Sequence, residues 1–257
     1  MTPTALFEPI GHESIAEAVV ARIEDMIASG LLKEGRRLPS ERELAEALQV
    51  SRPKLREALQ VLEERGLVIS RHGEGTFIAP LTGKAMMPAL MALYGRHEPA
   101  FFDYLDYRRA QEAFAARLAA ERATPSDRER LEVLMATLTE AWEAGDTARS
   151  KEADIQFHTA IVDASQNATL IHMMASIYDL TRQGVFYNRD FLRTIDGTGR
   201  KLLDQHLAIG RAIIAGDADA AEAASNAHLD FVETSFRRGI EQSRREAVAA
   251  KRRMLLG

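Results

Sequence analysis

Residues 67–80 read LVISRHGEGTFIAP. Two short runs with β-branched and aromatic residues flank a glycine turn, Gly73 to Gly75. That pattern predicts a two-stranded hairpin. On both sides of it the apolar residues recur three and four apart, which is helical spacing. One hairpin among many helices predicts a mainly α fold, with the hairpin attached to a small helical unit.

The helices before the hairpin are short. Ile15, Val19, Ile23, Met26 and Ile27 line one face across residues 14–29. Ser14 and Glu17 have capping-box spacing, and Gly30 closes the end. Gly35 and Pro39 mark a turn, and Ser40 with Glu43 repeats the box before Leu44, Ala45 and Leu48 begin a second helix. A third starts at Ser51, with Pro53 in its first turn, where a missing N–H costs little. Leu55, Ala58, Leu59 and Leu62 are its apolar face, and Gly66 ends it. Residues 81–97 contain Gly83, Pro88 and Gly95 and read as a linker. Only helices follow: a long one from about residue 99, one after Pro125 capped by Ser126 and Glu129, then 147–166, 168–189, 199–215, and a last one after Gly216–Asp217 with a basic end. The expected organisation is residues 1–80 as one domain, 81–98 as linker and first helix, and 99–257 as an all-helical domain.

A length of 257 residues suits two domains. The absence of cysteine excludes disulfides and thiolate zinc fingers. No apolar run approaches a membrane span and no signal pattern opens the chain, so a cytoplasmic protein without a membrane partner is expected. The net charge of −5 argues weakly against nucleic-acid binding, but a local basic surface can hide among acidic faces.

Such a surface is legible around the second and third helices. Residues 36–72 hold eight basic side chains against six acidic ones. Arg52, Lys54 and Arg56 fan around the start of the third helix, which suits a helix entering a DNA groove end-on. Its N–H groups and dipole favour phosphate, and Arg pairs bidentately with guanine. Ser51 can donate to a phosphate. At the tip of the hairpin, Gly73 lets the backbone come close and His72 could reach a minor-groove edge. The plain alternative is a solvated helix face beside an ordinary turn.

Helix, helix, tight turn, helix and hairpin in succession describe a winged helix-turn-helix. The stretch LPSERELAEALQVSRPKLREALQVLEERGLVISRHGEGTFI resembles that of GntR-type bacterial transcription regulators, across about residues 12–80. The resemblance implies that Arg42, Arg52 and Arg56 contact bases or nearby phosphates, that Ser51 and Lys54 hold the backbone, and that His72 and Gly73 work in the minor groove. Many relatives have Ser or Thr where this chain has Lys54, a departure that bears on half-site sequence.

The second candidate site begins with EADIQFHTAI, residues 152–161. Asp154 and His158 stand four apart and leave one face of a helix. His206 and His228 each interrupt an apolar helical face. A histidine aimed into a core needs a partner, because burying an unpaired polar group is costly. Together the four could hold a divalent metal, as helical bundles commonly do. Oxygen and imidazole donors without sulfur suit zinc, nickel or manganese, with zinc expected first. Each histidine could instead be a satisfied core residue. His172, in LIHMM, reads as packed core; His12, His72 and His97 lie in or near the first domain.

Residues 99–240 resemble the all-helical FCD effector domain that accompanies the winged helix in the FadR-like branch of GntR regulators. The resemblance implies that Asp154, His158, His206 and His228 are the metal ligands. The set is complete here, unlike in acyl-CoA-binding relatives. It also implies that Arg108 faces a cavity, where it could pair with an effector carboxylate, and that Asn167 lies near the pocket. Arg108 could otherwise make a surface salt bridge, and Asn167 could be a turn residue. No catalytic base or nucleophile accompanies the ligands, so the metal is expected to hold an effector rather than transform it. The expected protein is no enzyme. It is a homodimeric regulator, in sense a repressor, reading a pseudo-palindromic operator and sensing a small carboxylate such as a 2-hydroxy or 2-oxo acid. A metal-dependent hydrolase and an architectural DNA binder are the alternatives.

Overall fold

The computed structural model describes residues 14–81, 97–182 and 198–256. The chain divides into two compact units, residues 1–83 and 84–257. The predicted linker lies almost wholly outside the described residues, as do residues 183–189 of the fourth predicted bundle helix.

The first unit contains α1 (Ile15–Ala28), α2 (Glu41–Leu48), α3 (Arg52–Glu64), β1 (Val68–Arg71) and β2 (Gly75–Ile78). Both predicted capping boxes form. The Glu17 N–H donates to Ser14 Oγ at 3.1 Å while the Ser14 N–H donates to Glu17 Oε2 at 2.8 Å. Ser40 and Glu43 do the same, at 3.3 and 2.9 Å. Two otherwise orphaned N–H groups are satisfied at each helix start. Between α2 and α3 the chain turns through Gln49, whose φ of 54° is left-handed. Val19, Ile23, Leu55, Leu62, Val68 and Ile78 close the core, so the hairpin's inner face covers the helices.

The hairpin pairs Val68 with Ile78 and Arg71 with Gly75. The segment read as a turn does more than turn. The Leu38 N–H donates to the Thr76 carbonyl, and the Ile78 N–H donates to the Arg36 carbonyl, both at 2.9 Å. Residues 36–38 therefore lie along β2 as a third extended rung. Gly75, at φ 111°, passes Arg37 so closely that a Cβ there would lie 3.2 Å from the guanidinium Nε.

The second unit comprises α4 (Glu98–Arg122), α5 (Pro125–Glu143), α6 (Thr147–Ala164), α7 (Ala168–Arg182), α8 (Thr198–Ala215) and α9 (Ala218–Leu256). The cap of α5 differs from the expected one. Thr124, not Ser126, is the N-cap, and Asp127 rather than Glu129 closes the box. Proline has no N–H and fits the first helical position, so the cap must be the residue before it. Helix α4 is the axis of the bundle: α6, α8 and α9 pack against it. Its Ala113, Ala115, Ala116, Ala119 and Ala120 are buried, and their small side chains let the neighbours come close. No described helix is long and apolar enough to cross a membrane.

Candidate functional site

The DNA-reading residues predicted on the first unit are exposed. Ser51 is the N-cap of α3, but its side chain makes no capping hydrogen bond. Arg52 and Arg56 both lean on Glu41 of α2, at 3.8 and 2.7 Å, and remain more than half exposed. Lys54 meets Glu57 at 2.7 Å, and Arg42 meets Glu46 at 3.4 Å. Such surface pairs are weak and exchange readily for phosphate. His72 and Gly73 are exposed at the hairpin turn, and Gly73, at φ 75°, has open space where a Cβ would project.

In the second unit four predicted ligands from three helices meet. Asp154 and His158 come from α6, His206 from α8 and His228 from α9, and all are buried. The three histidines have ligating nitrogens within 4.8 Å of one another. His206 Nε2 lies 3.1 Å from His158 Nε2 and 3.1 Å from Asp154 Oδ1. Metal–nitrogen bonds of about 2.0–2.1 Å put neighbouring ligand atoms roughly 2.9–3.4 Å apart, so these donors fit the spacing around one cation. Burial, reinforced by His206 and His158, pushes the His228 pKa well down and keeps it in the neutral form that ligates. Phe157 walls the cluster, edge-on to the rings of His158 and His206.

Sequence reasoning missed the groups behind this layer. Glu112, on α4, is 3% exposed and sits at the back of the site. Its Oε2 lies 3.0 Å from His158 Nδ1, the Tyr178 hydroxyl donates to its Oε1 at 3.2 Å, and Arg108 donates to the same oxygen. Burial opposes ionisation of Glu112, but the Arg108 guanidinium and His158 outweigh it and hold the carboxyl well below the usual range. Gln205 Oε1 lies 3.3 Å from His228 Nδ1. One signal was available: Arg108 and Glu112 are an i,i+4 charged pair on an alanine-rich helix. Gln205 and Tyr178 gave none.

Arg108 is buried with Glu112 rather than on the surface, so its salt bridge is internal. Asn167 is half-buried at the start of α7, where its Oδ1 accepts from the Leu170 N–H at 3.1 Å in the manner of a helix cap. Among the remaining histidines, His172 is half-buried rather than core, and His97 is the exposed N-cap of α4. His12 lies outside the described residues.

Two family models match the chain. Residues 15–78 match the bacterial regulatory proteins of the gntR family, and residues 103–231 match the FCD domain. The chain belongs to the GntR family, with an FCD domain. A protein of Escherichia coli (strain K12) bearing the name L-lactate dehydrogenase operon regulatory protein is 37% identical over 91% of this chain and 90% of its own. The transcriptional regulator LutR of Bacillus subtilis (strain 168) is 35% identical over 81% and 94%. The Glc operon transcriptional activator of E. coli (strain K12) is 32% identical over 86% and 89%. The protein is thus a transcription regulator with an FCD effector domain, not an enzyme, and the hydrolase alternative falls away. GntR regulators bind DNA operators and small-molecule effectors.

Proposed function

We propose that this GntR regulator holds a divalent cation on Asp154, His158, His206 and His228, and that the cation and Arg108 together take a small monocarboxylate. A count of charge carries the reading. Among the described residues of the second unit, the buried side chains with formal charge are Arg108, Glu112 and Asp154. With neutral histidines they sum to −1. A divalent cation turns this to +1, and a monoanion brings it to zero. Buried charge left uncompensated is costly, so the site as built favours a cation and one anion together.

When bound, the metal supplies a Lewis-acidic centre that can hold a carboxylate oxygen. The residues do the rest: the four ligands fix the cation, and Arg108 offers a planar donor pair that matches a carboxylate. Zinc is the first candidate by donor set, with nickel and manganese next. The names of two relatives point to lactate and Glc operons, which favours a 2-hydroxy or 2-oxo acid.

Arg42, Ser51, Arg52, Lys54, Arg56, His72 and Gly73 read an operator half-site, and two copies of the chain read a pseudo-palindrome. The proposed sense is repression, relieved when the acid binds. Coupling requires the acid to prefer one arrangement of the regulator over another.

The test is a thermal-shift screen of small carboxylic acids on metal-loaded and chelator-treated protein. A 2-hydroxy or 2-oxo acid should raise Tm only with metal present. No response to any acid in either state would leave an architectural DNA binder as the better description.

A further inference from the structure

We propose that Glu112 is a positioning residue for the metal ligand His158, fixing its tautomer so that the Nε2 lone pair faces His206 and His228. The inference rests on the metal reading above and adds a residue outside the ligand set. A carboxylate beside a guanidinium, which is always charged, is an acceptor only. The proton between Glu112 Oε2 and His158 Nδ1, 3.0 Å apart, therefore belongs to the ring. A neutral imidazole carries one proton, so its other nitrogen is left as a lone pair. That nitrogen is Nε2, the one placed 3.1 Å from His206 Nε2.

The other oxygen of Glu112 is already taken. Arg108 and the Tyr178 hydroxyl both donate to Oε1, so the carboxylate cannot rotate away from His158 without giving up a partner. All four groups are buried, which removes water as a substitute acceptor. Glu112 thus joins the metal ligand His158 to Arg108 through one side chain, and a change at either end is felt at the other.

Glutamine at this position gives a sharp test because it is the same size and has a single oxygen. The Arg108 guanidinium, with donors only, draws that oxygen. The amide NH2 then faces His158 Nδ1 and favours the opposite tautomer. The experiment uses full-length wild type and Glu112→Gln. Imidazole nitrogen NMR of the metal-free proteins reads the tautomer, and competition with a chromogenic chelator reads zinc affinity. Wild-type His158 should be protonated at Nδ1. In Glu112→Gln the proton should move to Nε2, and zinc should bind about 10–100-fold more weakly. An Nε2-protonated His158 in metal-free wild type would overturn the proposal, as would unchanged zinc affinity in the variant. Should Glu112→Gln not fold, the wild-type tautomer decides. Wild type that binds no zinc, nickel or manganese sinks the metal reading, and the tautomer still reports separately on Glu112.

Discussion

Arg42 and Arg108 are the same residue type with opposite environments, and their energetics differ accordingly. Arg42 and Glu46 are 68% and 66% exposed, so their pair contributes at most about 1 kcal/mol and is screened by salt. Arg108 and Glu112 are 5% and 4% exposed, and removing one partner strands the other in the core. Arg108→Ala should therefore cost about 3–5 kcal/mol of stability in denaturant melts. Arg42→Ala should leave the melt almost unchanged and still weaken operator binding. Arg52 shares Glu41 with Arg56 and is half exposed. If Arg52 takes a base bidentately, Arg52→Ala should lose about 1–3 kcal/mol of specific affinity, measured by titrating labelled operator. Equal binding by the variant would remove Arg52 from the base-reading set.

At the scale of elements, the bundle depends on how closely α8 approaches α5. A Cβ at Gly199 would lie 2.4 Å from the Trp142 ring, and one at Gly210 would lie 2.4 Å from Met135 Sδ. The thioether is flexible and can move; the indole is rigid. Gly199→Val should thus cost about 1–3 kcal/mol by overpacking. Trp142 is the only tryptophan, so its emission should report the disturbance directly alongside the lowered Tm. Gly199 is legible as a helix-start glycine, but its reason is not: the indole that needs the space is 57 residues away in sequence. The α5 cap teaches a related lesson. Both Thr124–Asp127 and Ser126–Glu129 have capping-box spacing, and the choice follows from Pro125 at the first helical position.

Across the whole molecule, two units with separate cores divide the labour of reading DNA and sensing an effector. Metal on four ligands from three helices staples the bundle, so its removal should act on the stability of the second unit. A chelator should lower the Tm of that unit's transition, and restoring the metal should recover it. His228→Ala should start from the lower Tm and respond less to chelator, with less metal by elemental analysis. Full metal occupancy in that variant would count against the four-ligand centre.

The sequence by itself determined the elements and the family. Helical periodicity, the boxes at Ser14 and Ser40, Pro53 and the hairpin glycines are local signals, and each acts within a few residues of where it is written. Asp154 and His158 were legible as a pair for the same reason, because one helical turn relates them. Only the tertiary structure decided what stands behind the ligands. Glu112 touches His158 across 46 positions of chain and Tyr178 across 66. No periodicity records such contacts, because they arise from how α4, α6 and α7 pack. Burial then gives them their force: in a site without water, an acceptor held beside an imidazole fixes where its proton sits.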